Sequence, residues 1–130
     1  MSGHTTIQKV ELAYPELSYK LMGLMFAVHN ELGAGLREKT YEDAVEMAFK
    51  KVGINYSRQI HFPINFQGEM IWSRFLDFLI EDKIIIELKA GNRFNHAIIK
   101  QRNEYLKATN LKLGILVNFD QRFFWTDSIR

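Results

Sequence analysis

The sequence predicts an α/β fold in three layers (α/β/α), in which helices cover both faces of a mixed sheet of four to five strands. Two stretches with strand-like periodicity carry apolar residues on both faces, and such strands need cover on each side. A helical stretch separates the third predicted strand from the fourth, and a crossover of this kind makes the two strands parallel.

Two predicted helices come first. From Glu16 onwards, apolar residues recur at helical spacing, at Leu17, Leu21, Leu24, Met25, Val28 and Leu32. Gly33-Ala34-Gly35 ends this helix, because glycine readily takes the left-handed conformation found at helix C-termini. A second helix is predicted from about Glu38 to Lys51. Residues 1–14 show no periodicity and are expected to be loosely ordered, so that residues 15–130 form a single domain.

Three strands are predicted in the middle of the chain. Residues 60–66 alternate between apolar and polar side chains, whereas residues 71–80 and 84–90 are apolar on both faces. Residues 67–69 and 81–83 are predicted turns. The order of elements up to this point is therefore helix, helix and a three-stranded meander.

The last third of the chain supplies one helix and two strands. The helix is predicted from Phe94 to Lys107, with Asn110 as its terminator. Strands are predicted from Leu113 to Phe119 and from Phe123 to about Ser128. The aromatic residues, including Trp72, Phe123, Phe124 and Trp125, are interpreted mainly as core, although an exposed pair near the C-terminus could instead stack bases or mediate dimerisation.

The composition excludes several kinds of chemistry. The chain has no cysteine, so disulfides, cysteine-based zinc sites and thiol catalysis are all excluded. Seventeen basic and 15 acidic residues give a formal charge of +2, which permits nucleic-acid binding without arguing for it. No apolar run reaches the length of a membrane span, and a soluble protein of the cytoplasm is expected.

Three charges stand out within the predicted meander. Glu87 and Lys89 interrupt an apolar strand, and successive side chains of a strand alternate, so both lie on one face. If the loop at residues 81–83 has three residues, Ile80 pairs with Ile84 and Asp77 comes opposite Glu87. A shift of one residue would place Asp77 on the other face. Two opposed carboxylates call for a cation, and oxygen ligands favour magnesium or manganese.

An acidic residue on one strand followed by Glu-x-Lys on the next resembles the PD-(D/E)xK nuclease superfamily, with its restriction-endonuclease-like core of helix, three strands, helix and strand. Gln101-Arg-Asn-Glu-Tyr105 resembles the Gln-x-x-x-Tyr element of its exonuclease-like branch. Gly35-Leu-Arg-Glu38-Lys-Thr-Tyr41 resembles the signature of the small GxxExxY proteins, a group assigned to this superfamily. Leu76 departs from the pattern, because many members have proline before the aspartate.

The resemblance implies a nuclease that uses Mg²⁺ or Mn²⁺, with DNA as the expected substrate. Asp77, Glu87 and the Leu88 backbone carbonyl would hold the metal, and Glu38 would reach the same site. Lys89 would orient the attacking water and stabilise charge growing on the phosphate. The residues expected to position the metal shell or a nucleotide are Gln101 and Tyr105.

Structural explanations stand beside these roles. The three charges could form an ion-pair cluster, Glu38 could complement a helix dipole, and Gln101 with Tyr105 could be an inward-facing pair. A second tier of candidates is less specific: His29, Tyr41, His96, Lys100 and Arg102. Arg93, Lys100, Arg102 and Lys107 could form a phosphate-facing strip, although a solvated charged face is the usual explanation.

Two other functions remain open at this point. One is a catalytically weak or inactive nuclease fold that binds nucleic acid or a protein partner. The other is a metal-binding structural subunit of a larger complex. Cleaving both strands of a duplex usually calls for two active sites, which a homodimer or a partner subunit would supply.

Overall fold

A computed structural model of the protein describes residues 13–129. Within them the chain forms, in order, α1 (Pro15–Leu32), α2 (Glu38–Val52), β1 (Tyr56–Phe66), β2 (Glu69–Ile80), β3 (Ile84–Ala90), α3 (His96–Thr109), β4 (Leu113–Phe119) and β5 (Phe124–Ile129). The loose order expected for residues 1–14 concerns mainly residues 1–12, which lie outside the described range. Ala13 and Tyr14 pack against the core.

The five strands form one mixed sheet in the order β1-β2-β3-β4-β5. β3 and β4 are parallel, as the α3 crossover predicts, and the other pairs are antiparallel. One apolar cluster joins α1 and α2 to the sheet, and a smaller one includes Leu76, Ile85, Tyr105 and Leu106 on the α3 side. The predicted three-layer α/β/α fold is therefore confirmed. Among the described residues, no helix combines the length and apolar character that crossing a bilayer demands.

Local chemistry explains where the helices begin and end. Gly33 ends α1 with a φ of 73°, and Asn110 ends α3 with a φ of 64°, both as predicted. α3 begins at His96, two residues later than predicted. The reason is Asn95, whose side chain accepts a hydrogen bond from the Ile98 amide at 3.1 Å and caps the helix.

The two hairpins fix the register of the sheet. Gln67 and Gly68 form a two-residue loop with positive φ at both positions, and Phe66 pairs with Glu69. Glu69 therefore belongs to β2 and not to the turn predicted at residues 67–69. The loop between β2 and β3 has the predicted three residues, 81–83, and Ile80 pairs with Ile84.

The β1–β2 hairpin extends well beyond β3. β2 pairs with β3 only from Phe78 to Ile80, whereas it pairs with β1 along its whole length. The part made of residues 60–66 and 69–76 is a two-stranded ribbon, referred to below as the ribbon. Its pairs Phe62–Arg74 and Ile64–Trp72 lie on the α3 side of the hairpin.

The alternation of side chains along β2 is interrupted at Asp77, so that residues on either side of it change face. Residues two apart on a regular strand share a face. Here Phe78 packs in the α1/α2 cluster, yet Leu76 packs in the α3 cluster. Gln59 lies across from this point on β1 and has a φ of 54°, so the irregularity involves both strands. The backbone ladder between β2 and β3 also ends here, which leaves room for side chains between the strands.

Candidate active site

Asp77 and Glu87 occupy the point where β2 and β3 separate. The Leu88 amide donates to Asp77 Oδ2 at 2.7 Å, and the Asp77 amide donates to Glu87 Oε2 at 3.2 Å. These bonds from side chain to backbone take the place of the backbone ladder, which ends one residue earlier, at the Phe78–Ile86 pair. The two carboxylates lie close together, as predicted. However, Asp77 and Glu87 are not a backbone-paired couple with side chains above the sheet, because their side chains bond to the backbone of the opposite strand.

Burial makes it unfavourable for both carboxylates of this pair to be ionised. Glu87 is only 3% exposed. Burial, followed by the nearby Glu87 charge, raises the pKa of Asp77 to about 7, while the Leu88 amide opposes that rise. Burial also raises the pKa of Glu87, and the charge of Arg74 opposes that rise. Asp77 therefore keeps a proton up to about pH 7, and above that pH a bound cation would compensate the charges of the pair.

Arg74 is the cation that the site already contains. Its Nη2 pairs with Glu87 Oε1 at 2.5 Å, and its Nη1 donates to Gln101 Oε1 at 2.7 Å. The guanidinium also lies 5.0 Å from the centre of the Tyr105 ring. Gln101 and Tyr105 thus contact the carboxylate site through Arg74. Arg74 was not predicted to be a site residue, because regular alternation along β2 would place it on the opposite face from Asp77.

Lys89 completes the centre of the site. It follows Glu87 on the same face of β3, and its charge lowers the pKa of both Asp77 and Glu87. Among residues 13–129, no carboxylate forms an ion pair with its ammonium group. An ammonium group held near two carboxylates without pairing directly to either is suited to a phosphate or a water molecule.

Glu38 reaches the C-terminal end of β3 from the first turn of α2. Its Oε2 accepts from the Ala90 amide at 3.3 Å and lies 3.4 Å from Arg93 Nη1. Within the described part of the chain, no three acidic or histidine side chains converge tightly enough to enclose a metal ion. Glu38 therefore borders the carboxylate pair without joining it.

The donors present fit a hard divalent cation. The carboxylates of half-buried Asp77 and buried Glu87, both with raised pKa values, supply oxygen ligands, and Mg²⁺ or Mn²⁺ prefers oxygen. Leu88 lies between Glu87 and Lys89, so its backbone is beside the same carboxylates. The Arg74 guanidinium competes with a cation for Glu87 Oε1.

Tyr41 is a packing residue with two hydrogen bonds. It is fully buried and stacked on Phe119, with ring centres 4.5 Å apart. Its hydroxyl donates to the Gly33 carbonyl at 2.6 Å and accepts from the Leu36 amide at 3.3 Å. The Tyr of the predicted GxxExxY signature thus anchors the glycine-containing loop that leads into α2 and Glu38.

We expect Tyr41→Phe to lower the free energy of unfolding by about 1 kcal/mol, because the Gly33 carbonyl and the Leu36 amide both lose their partner. Urea unfolding measures this change. The control is Tyr19→Phe, since Tyr19 is 85% exposed and its substitution should have little effect. A Tyr41→Phe protein that unfolds like the wild type would contradict the anchoring role.

The second-tier candidates lie apart from the carboxylates or are engaged elsewhere. His29 Nε2 contacts the Asp120 carbonyl at 2.7 Å and its ring packs on Phe123. His96 and Lys100 are exposed on α3. Arg102 is 4% exposed and donates to both the carbonyl and the hydroxyl of Thr126 at 2.7 Å. Arg102 therefore ties α3 to β5 and cannot belong to a phosphate-facing strip.

Trp72 is the second residue whose position was not foreseen. It was interpreted as core, yet it is 45% exposed. Its indole is parallel to the Tyr105 ring, with an interplanar angle of 1° and centres 5.8 Å apart. The residue lies on the ribbon, two positions before Arg74, and so on the same face of that strand.

A model of the PD-(D/E)XK nuclease superfamily matches residues 15–130. Among curated proteins, none matches the sequence.

Two solved structures are similar to the chain. SSO0001 is 17% identical with a TM-score of 0.52, and the match covers 100% of this chain and 68% of that one. An alkaline exonuclease (LHK-Exo) from Laribacter hongkongensis is 17% identical with a TM-score of 0.48, over 65% of this chain. The match covers 52% of the exonuclease, about half its length. At such low identity, the likeness to SSO0001 shows a shared fold.

Proposed function

The chain belongs to the PD-(D/E)XK nuclease superfamily, and we propose that it is a metal-dependent nuclease that hydrolyses phosphodiester bonds in DNA. The observation that carries the proposal is the pair of half-buried Asp77 and buried Glu87 beside Lys89. Burying two neighbouring carboxylates is costly unless a cation or a proton compensates. The carboxylate pair contributes little to the stability of the domain, so a catalytic role explains its presence best.

Each residue has a distinct part in the proposed mechanism. Asp77, Glu87 and the Leu88 carbonyl would hold Mg²⁺ or Mn²⁺. The chemistry that such an ion would supply there is polarisation of the scissile phosphate and a lower pKa of the attacking water. Lys89 would orient the attacking water and stabilise the charge that develops on the phosphate. Glu38 holds the C-terminal end of β3 by accepting from the Ala90 amide, and it also pairs with Arg93.

Purified protein incubated with single- and double-stranded DNA and RNA tests the proposal. Each substrate is combined with Mg²⁺, Mn²⁺ or chelator, and Asp77→Ala is run in parallel. Cleavage of DNA that needs a divalent ion and disappears in the variant is the expected result. Cleavage that persists in Asp77→Ala would place the chemistry elsewhere. Salt-sensitive binding without any cleavage would instead favour a nucleic-acid-binding module.

Arg74 offers a test of metal binding that does not depend on activity. We expect Arg74→Met to lower the melting temperature in chelator, because the buried Glu87 loses its ion-pair partner. Added Mg²⁺ should then raise the melting temperature more in the variant than in the wild type, since no guanidinium competes for Glu87 Oε1. Differential scanning fluorimetry with and without Mg²⁺ measures both effects.

The matched control is Arg93→Met. Arg93 also pairs with a glutamate, at 3.4 Å from Glu38, but its side chain is 66% exposed. Its removal should leave the Mg²⁺-dependent shift at the wild-type value. A shift that is equal in all three proteins would show that Arg74 and the cation do not share Glu87.

A further inference from the structure

Several large apolar side chains of the ribbon are exposed to solvent in the described part of the chain. Phe66, Met70, Ile71, Trp72 and Phe75 are each 45–65% exposed. Such an exposed apolar surface usually marks a binding site. Trp72 also stacks on a buried ring of α3, that of Tyr105.

A pocket of about 500 Å³ lies between the ribbon and α3. Ile64, Trp72, Tyr105 and Ala108 give it apolar and aromatic walls, and Gln101 and Glu104 give it polar ones. This volume is in the range of small-ligand sites. The flat aromatic walls suit a planar ring, and the amide and carboxylate suit its polar edge.

A chain of polar contacts links the pocket to the carboxylate site. Gln101 lines the pocket and accepts the hydrogen bond from Arg74, which in turn pairs with Glu87. Tyr105 lines the pocket as well, and its buried hydroxyl has no hydrogen-bond partner among residues 13–129. A buried hydroxyl without a partner is costly, so a polar group supplied by a ligand or water would stabilise it.

We propose that this pocket binds one unpaired nucleobase of the substrate, stacked on Trp72, next to the phosphate that is cleaved. The inference rests on the proposed function for its substrate class. Stacking on an aromatic side chain tolerates any base, because every base has a π-face. The pocket therefore favours single strands or frayed ends over intact duplex without selecting a sequence.

Tryptophan fluorescence tests the pocket directly. The chain has two tryptophans, and Trp125→Phe leaves Trp72 as the reporter. Trp125→Phe is titrated, in chelator to prevent cleavage, with a short single-stranded DNA and with an abasic strand of equal length. Quenching by the normal strand and its absence with the abasic strand is the expected result. If Trp125→Phe fails to fold, the difference between wild type and Trp72→Phe reports the same signal.

Binding measurements add a second readout. Trp72→Ala should weaken the binding of single-stranded DNA about tenfold. Phe75→Ala is the control, because Phe75 is 56% exposed but lies on the other face of the ribbon, against His61. Its substitution should leave the affinity unchanged.

The outcomes separate this inference from the nuclease itself. Metal-dependent cleavage together with equal quenching by normal and abasic strands would overturn the pocket and leave the nuclease in place. Base-dependent quenching in a protein that never cleaves would support the pocket and overturn the nuclease. Equal affinity of Trp72→Ala and wild type for single strands would also overturn the pocket.

Discussion

Lys89→Met is expected to cleave DNA about a hundredfold to a thousandfold more slowly than the wild-type protein. Methionine keeps most of the length of the lysine side chain but removes the ammonium group, and with it the charge that would stabilise the phosphate. The loss should appear in the turnover rate rather than in substrate affinity, because the interaction grows as negative charge develops on the phosphate. Single-turnover cleavage of a labelled strand in saturating Mg²⁺ measures it.

Lys112→Met is the matched control for that rate. Lys112 is exposed and precedes β4, so the same change of charge occurs away from the carboxylates. Its cleavage rate should equal that of the wild type. A Lys89→Met protein that is as active as Lys112→Met, and folded equally well, would remove Lys89 from the mechanism.

Asp77→Asn is expected to raise the free energy of unfolding at pH 8, in chelator, by on the order of 2 kcal/mol. The pKa of Asp77 is about 7 in the folded protein, against an ordinary value of 3.8. Between these two values the unfolded chain binds fewer protons at this group than the folded protein does. The wild type therefore loses stability as the pH rises from 4 to 7, and an uncharged asparagine avoids that loss. Asparagine also keeps an oxygen for the Leu88 amide.

Urea unfolding of both proteins at several pH values measures the difference. It should be small near pH 4 and complete above pH 7. Asp43→Asn is a control of opposite sign, because hydrogen bonds from Arg58 and Lys39 lower the pKa of Asp43. That variant should gain no stability as the pH rises. Identical curves for wild type and Asp77→Asn from pH 4 to 8 would show that Asp77 ionises like an ordinary aspartate.

The results expected for Lys89→Met and Asp77→Asn imply that the carboxylates needed for the proposed activity lower the stability of the fold. The same burial that destabilises the charged carboxylates raises their affinity for a cation. Lys89 and Arg74 reduce this cost, Lys89 by its charge and Arg74 by a direct ion pair with Glu87. Proteins often retain such destabilised groups only where the groups act on a substrate.

The fold and the centre of the site were accessible from the sequence because their signals are local. Apolar periodicity located the helices and strands, and the three residues at 81–83 set the register that brings Asp77 to Glu87. Helix ends at Gly33 and Asn110 followed from single residues with left-handed backbone. Each of these features depends on neighbours within a few positions along the chain.

The remainder depends on contacts that the sequence does not encode locally. Regular alternation along β2 would place Arg74 and Asp77 on opposite faces. The interruption of that alternation at Asp77 brings both to the same site. That irregularity involves Gln59, a residue without the usual preference for positive φ. Arg102 gave the pattern of a surface charge, yet its partner Thr126 lies on β5, 24 residues away. Sequence periodicity carries no information about either partner.

The ribbon has a consequence for how this chain tolerates insertions. Asp77 and Trp72 lie on one strand, five residues apart, so an extra residue between them would displace the pocket relative to the carboxylates. Beyond Trp72 the ribbon ends in the two-residue loop at Gln67 and Gly68, which contributes nothing to the site. Added sequence is therefore best accommodated at that tip, where a fluorescent or targeting module could be inserted with both sites intact.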